Sequence, residues 1–80
     1  MNDSEARDLL ERLLRRIAPE ADLEGAGEDE ALQDLVDLDS MDMLNLMTAL
    51  HEETGIEVPE GDYPQLSSIS GFVGYVTARR

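Results

Sequence analysis

The chain has 80 residues, no cysteine, and 19 acidic against six basic side chains, for a formal net charge of −13. That length gives a single small domain with a modest core. The missing cysteine excludes disulfides and thiolate metal sites, and the charge sets the chain against nucleic acid and anionic membrane surfaces and toward basic partners.

The bases are all arginine, and all lie at the ends, at Arg7, Arg12, Arg15, Arg16, Arg79 and Arg80. Between Ile17 and Ala78 there are acids but no Lys or Arg. A solvated, solubilising surface explains much of this imbalance. The longest apolar runs fall far short of a membrane span, and Met1-Asn2-Asp3-Ser4-Glu5 has no signal-peptide character, so a soluble, cytoplasmic protein is expected.

In chain order, a first helix is capped by Ser4, with Ala6, Leu9, Leu10, Leu13, Leu14 and Ile17 keeping the i, i+3, i+4 rhythm of one buried face. Glu11 and Arg15 are spaced to pair on its outer side, and Pro19 ends it. A connection from Pro19 to Asp39 follows, long for so small a domain and therefore functional or disordered by default. Gly25 and Gly27 keep its first half irregular. Its second half carries Ala31, Leu32, Leu35, Val36 and Leu38 as apolar anchors, which predicts a short helical turn near Glu30–Leu35.

A second long helix spans Met41–Thr54, with Met43, Leu46, Met47 and Leu50 on one face and Gly55 as its left-handed stop. Ile56, Val58 and Pro59 read as an extended buried link. Glu60–Leu66 holds at most a short 3₁₀ helix, because Gly61 and Pro64 oppose length. The last helix is capped by Ser67 or Ser68 and built on Ile69, Phe72, Val73 and Val76, with Gly71 and Gly74 each costing about 1 kcal/mol against alanine. A strand over Ile69–Val76 competes, but no partner strand is available. The expected fold is all-α: a small antiparallel bundle of three main helices plus one short helix, a single domain over residues 1–80.

Chemistry concentrates in Asp37-Leu38-Asp39-Ser40-Met41-Asp42, where the acidic loop meets the second long helix. Two readings compete for Ser40. In the plainer one, Asp39 or Ser40 is the helix cap. In the other, the Ser40 hydroxyl carries a phosphodiester, an anion suited to a helix N-terminus. Asp37, Asp39 and Asp42 do not form a calcium loop, since Met41, Asp42 and Thr48 stand where Asp or Asn, Gly and Glu would be needed. His51, the single histidine, lies toward the polar side of its helix with no second His or Cys to complete a metal or nucleophile set. Met41, Met43 and Met47 read first as core or core-edge fillers.

Asp39-Ser40-Met41-Asp42 resembles the Asp-Ser-Leu-Asp/Glu attachment motif of acyl carrier proteins. Leu46-Met47-Thr48-Ala49-Leu50-His51-Glu52-Glu53-Thr54-Gly55-Ile56-Glu57-Val58-Pro59 is similar to the family's second helix and its exit. The other elements fall in family order over nearly the whole chain. The resemblance implies that Ser40 accepts 4′-phosphopantetheine from coenzyme A through a phosphopantetheinyl transferase. It implies a monomeric carrier without catalysis of its own, whose thiol holds acyl groups for acyl-loading, acyl-transfer or condensing enzymes with basic docking patches, in fatty-acid, polyketide or related lipid biosynthesis. It further implies a partner-recognition face of Asp39, Met41, Asp42, Leu44, Asn45, Thr48 and Glu52. An acyl-chain cavity would be lined by Met43, Met47, Leu50, Phe72 and Val73, with Gly71 and Gly74 leaving space opposite.

Asp39 and Asp42 would crowd the anion, and so read as contacts for basic enzymes more than as local stabilisers. The sequence departs from the family pattern where Asp37-Leu38 replace a small pair, leaving Leu38 as either a core wall or a partner contact. It departs again where Asn45 and Thr48 leave the middle of the recognition face neutral, which suggests a specialised pathway. With one domain beginning at Met1 and no linker, a discrete carrier is expected. The alternatives are an aminoacyl or peptidyl carrier, and an acidic interaction protein or inhibitor with no prosthetic group.

Overall fold

A computed structural model describes all residues from Met1 to Arg80. Four α-helices, α1 (Asp3–Ile17), α2 (Leu32–Leu35), α3 (Ser40–Thr54) and α4 (Ile69–Thr77), are joined by a long loop and, between α3 and α4, by a 3₁₀ helix over Glu60–Leu66. No strand forms: Ile69–Val76 is helical, and the one β-bridge joins Ala31 to Ser68. The radius of gyration is 11.2 Å, close to the roughly 12 Å expected of a compact chain of this length. α1 packs against both α3 and α4, and the 3₁₀ helix packs on α4.

The helix ends follow from local chemistry, with one correction to the sequence reading. Asn2, not Ser4, caps α1: its side chain accepts from Glu5 N at 2.8 Å while Glu5 Oε1 accepts from Asn2 N at 3.0 Å. The reciprocal pair satisfies two orphan donors at once, more than a lone serine two residues later would. Ala18, before Pro19, leaves the helical region at φ −130°. Gly55 stops α3 at φ +77°, a left-handed conformation that side chains with a Cβ resist. Ser68, of the two candidate serines, caps α4 through Gly71 N.

All 21 buried residues are apolar and form one cluster, with leucines from α1, α2, α3 and the 3₁₀ helix and Ile69, Phe72 and Val76 of α4 fully enclosed. Leu38 is 6% exposed and is therefore a wall of that core, not a partner contact. Of the supposed buried link after α3, Ile56 is buried, Val58 half-buried and Pro59 exposed.

The long loop is tied down along its whole length. Its first half, unanchored in the sequence reading, buries Ala21 and Leu23. Arg15 Nε donates to the carbonyl of Ala21 at 3.1 Å, and Arg7 Nη2 to that of Leu23 at 3.0 Å. Its second half is stitched to the start of α4 by Leu32 N to Ser67 O at 2.7 Å and Ser70 N to Glu28 O at 2.9 Å. Arg7 and Arg15 of α1 thus hold the loop that delivers Ser40.

Gly71 and Gly74 differ in role. A Cβ on Gly71 would lie 2.1 Å from the Gln65 carbonyl oxygen, so this glycine lets α4 and the 3₁₀ helix touch backbone to backbone; a Cβ on Gly74 would meet nothing within 4 Å. Gly71 therefore leaves no space for an acyl chain, contrary to expectation. Tyr75 ties the same two elements, its hydroxyl donating to Asp62 Oδ2 at 2.8 Å. Burial, with that acceptor, holds the Tyr75 phenol above its usual pKa.

Candidate functional site

The N-terminus of α3 is built by a reciprocal pair of aspartates. Asp39 is the N-cap: its Oδ1 accepts from Asp42 N at 2.8 Å, and Asp42 Oδ2 accepts from Asp39 N at 3.3 Å. Such a box satisfies two backbone donors that would otherwise face water alone. The two aspartates therefore stabilise the helix locally, Asp39 being the one of the two candidate caps that acts as such.

Ser40 is the first residue of the helix and is exposed. Because Asp39 makes the cap, the Ser40 hydroxyl takes no part in it, and the reading of Ser40 as a mere cap fails. The amides of Ser40 and Met41, in the first turn, have no carbonyl four residues back within the helix to bond. They add to the positive end of the α3 dipole beside that hydroxyl, a setting that suits a phosphodiester. The other serines of the C-terminal half are engaged: Ser67 donates to Pro64 O at 2.7 Å, Ser68 caps α4, and Ser70 donates to Asp29 Oδ1 at 3.2 Å.

Around Ser40 the surface is apolar in a way rare for this chain. Met41 is 63% exposed and Leu44 45%, two of only three large hydrophobic residues so exposed. Met41 is thus corrected from core filler to surface. With Asp39, Asp42, Asn45, Thr48 and Glu52, all exposed except the half-buried Asp42, they make one continuous outer face of α3. No arginine pairs with Asp39 or Asp42; the ion pairs lie elsewhere, at Arg7–Glu28, Arg12–Glu53 and Glu11–Arg15. No side-chain cation therefore offsets the acidic charge at the helix head. The Arg12 hydrogen bond, with the nearby charge of Arg16, holds the Glu53 carboxyl below its ordinary pKa.

Of the residues expected to line an acyl cavity, Met43, Met47, Leu50 and Phe72 are buried in the common core. Val73 is set apart: it is half-buried and borders a groove between α1 and α4, with Asp3, Arg7 and Gly74. Beside Ser40 opens a surface groove of about 610 Å³ between α3 and the 3₁₀ helix, bordered by Met41, Met43, Leu44, Tyr63 and Pro64. A second, of about 510 Å³, continues past Tyr63 to Met47, Thr48, His51, Glu57 and Val58. Tyr63, half-buried and common to both, was missed in the sequence, where a tyrosine between Gly61 and Pro64 gives no periodic signal. His51 is exposed, with Nδ1 3.2 Å from the carbonyl of Ile56, so it also closes the C-terminal end of α3.

No helix is long and apolar enough to cross a membrane. A family model described as phosphopantetheine attachment site matches residues 5–76. Domains of this kind are non-catalytic carriers that bear covalently attached 4′-phosphopantetheine. The match removes the alternative of an acidic inhibitor with no prosthetic group.

Proposed function

Since the chain belongs to the phosphopantetheine-attachment family, we propose that it is an acyl carrier protein and that Ser40 is the residue bearing the 4′-phosphopantetheine arm. The observation that supports Ser40 is the division of labour at the helix head: Asp39 caps α3 and leaves the neighbouring hydroxyl exposed and without structural duty. When bound, the arm supplies a thiol on which acyl groups are held as thioesters. The residues of the chain hold and present it. The Ser40 and Met41 amides would hold the phosphodiester, and Asp39 and Asp42 keep the first turn of α3 formed. Met41 and Leu44 offer an apolar contact inside an acidic frame.

That frame suits a phosphopantetheinyl transferase and acyl-handling enzymes with basic docking patches, since complementary charge speeds encounter and apolar contact at the centre holds the complex. Exposed Asn45 and Thr48 lower the charge in the middle of the face and favour a specialised set of partners over a general one. Lipid or polyketide synthesis in the cytoplasm is the setting proposed, with the chain acting as a monomer.

The test is intact-mass measurement after incubation with coenzyme A and a broad-specificity transferase, on wild type and Ser40→Ala. Wild type is expected to gain one phosphopantetheine and Ser40→Ala none. An adduct on Ser40→Ala, or none on either, would reject the assignment.

A further inference from the structure

The seam between α1 and α3 holds a cation that the fold does not use. Three of the four arginines of α1 are engaged: Arg7 with the Leu23 carbonyl and Glu28, Arg12 with Glu53, and Arg15 with the Ala21 carbonyl and Glu11. Arg16 is exposed and makes neither a hydrogen bond nor an ion pair. With Ile17 it borders a surface hollow of about 390 Å³, whose other side is Asp42, Asn45, Thr48, Ala49 and Glu52 of α3. Arg12 pairs with Glu53 while Ile17 shares the hollow with Asp42, so the two helices run antiparallel here. One turn past Arg12, Arg16 therefore lies about 6 Å nearer the head of α3, level with Ala49. That alanine is buried and small, which leaves the hollow open above it.

Charge is unevenly ordered along this hollow. Asp42 stands at one end and Glu52 at the other, about 15 Å apart along α3. Between them Asn45, Thr48 and Ala49 are neutral, and the Arg16 guanidinium is the only charge. The Thr48 hydroxyl donates its proton to Leu44 O at 3.0 Å. The free donors in the middle are therefore those of Arg16 and the Asn45 amide. A guanidinium presents its N–H groups as a planar fork that matches a carboxylate.

We propose that this hollow receives a carboxylate from a protein partner, held by Arg16 and Asn45, and that Arg16 is a specificity-determining residue of the docking face. The occupant is an enzyme surface on which an acidic side chain lies between two basic ones, the bases meeting Asp42 and Glu52. The inference deepens the reading of the outer face of α3 as the docking face and rests on it. Charge complementarity selects this occupant. A uniformly basic patch would set a cation against Arg16, and like charges in contact cost affinity. A free anion would meet the two flanking acids with no cations of its own to offset them. The neutrality of Asn45 and Thr48 follows, since an acid at either position would pair with Arg16 and close the hollow to the partner's carboxylate.

The test is a double-mutant cycle with two helical peptides as probes. Each presents two lysines about three turns (roughly 16 Å) apart on one face, with glutamate between them in one peptide and glutamine in the other. Binding to wild type and Arg16→Gln is followed by backbone amide NMR titration at low salt, where exposed pairs are least screened. Arg16→Gln is expected to weaken the glutamate peptide about fivefold more than the glutamine peptide, the upper range for an exposed ion pair. The largest shifts are expected at Asn45, Thr48 and Ala49. Asn45→Asp should erase the same preference by giving Arg16 an internal partner. Both residues are exposed, so both variants should keep the helical circular dichroism of wild type. Equal weakening of the two peptides, a preference that survives both substitutions, or no binding of the glutamate peptide overturns the inference, and leaves the carrier reading standing as long as Ser40 is modified. Absence of any adduct on Ser40 removes the carrier reading and this inference with it.

Discussion

Replacing Asp39 separates two jobs that one carboxylate performs. Its Oδ1 accepts the Asp42 amide at 2.8 Å, and its own N–H is held by Asp42 Oδ2. Alanine removes the acceptor that caps α3, an effect of about 1 kcal/mol with an upper end near 2. In a domain of this size each kcal/mol moves the thermal midpoint by about 4–8 °C. Asparagine keeps an acceptor at the same place and is as good an N-cap, so Asp39→Asn should lose no more than about 0.5 kcal/mol. Removing the charge sacrifices some favourable interaction with the helix dipole, but it also relieves repulsion in a chain of net charge −13. Thermal and urea melts followed by helical circular dichroism give the stability ranking. The rate of phosphopantetheine transfer, by mass spectrometry, gives the recognition ranking. The expected pattern is Asp39→Ala unstable and slow, Asp39→Asn stable and slow. Equal melting of Asp39→Ala and wild type would refute the capping argument. An Asp39→Asn variant modified at the wild-type rate would refute the view that the charge is read by the transferase.

Ser40→Ala should change stability by less than about 0.5 kcal/mol, because the exposed hydroxyl is no part of the cap; a loss near 1 kcal/mol in a urea melt would make it structural after all. Gly71→Ala and Gly74→Ala should part company in the same assay. The first drives a methyl into the Gln65 carbonyl and should destabilise by several kcal/mol or dislodge the 3₁₀ helix, while the second meets open space and should gain up to about 1 kcal/mol. Raising sodium chloride from about 10 mM to 0.5 M should raise the melting temperature, since self-repulsion among the acids is screened beyond a Debye length of about 10 Å at 0.1 M; a fall would mean that the arginine pairs dominate. The Arg12–Glu53 pair holds the Glu53 carboxyl below its unfolded value. Its contribution is therefore present above the unfolded pKa of about 4.3 and disappears as pH falls through the folded value. Glu53→Gln should be less stable than wild type at pH 7 and converge with it in acid; a constant gap across pH would show that the pair does not act through ionisation.

The end of α3, the 3₁₀ stretch and the core face of each long helix were legible in the sequence because they depend on local rules. Periodicity of apolar residues chooses a face, Gly55 supplies a left-handed stop, and Gly61 and Pro64 limit what can form between. The attachment motif around Ser40 is likewise a short contiguous string. What the chain could not disclose were pairings among residues far apart in sequence or equally plausible alternatives close by. Asn2 displaced Ser4 as the cap of α1 through a reciprocal bond with Glu5, and Asp39 relieved Ser40 of capping duty. Arg7 and Arg15 captured the Leu23 and Ala21 carbonyls, so a loop without periodicity became a fixed strap. Gly71 proved to be a backbone contact with Gln65 and not open room, and Val73 turned to the α1 side. Tyr63 became the joint of a groove running from Ser40 to His51. Helical periodicity acts within about one turn of backbone, whereas a groove or a strap exists only once two elements are placed side by side.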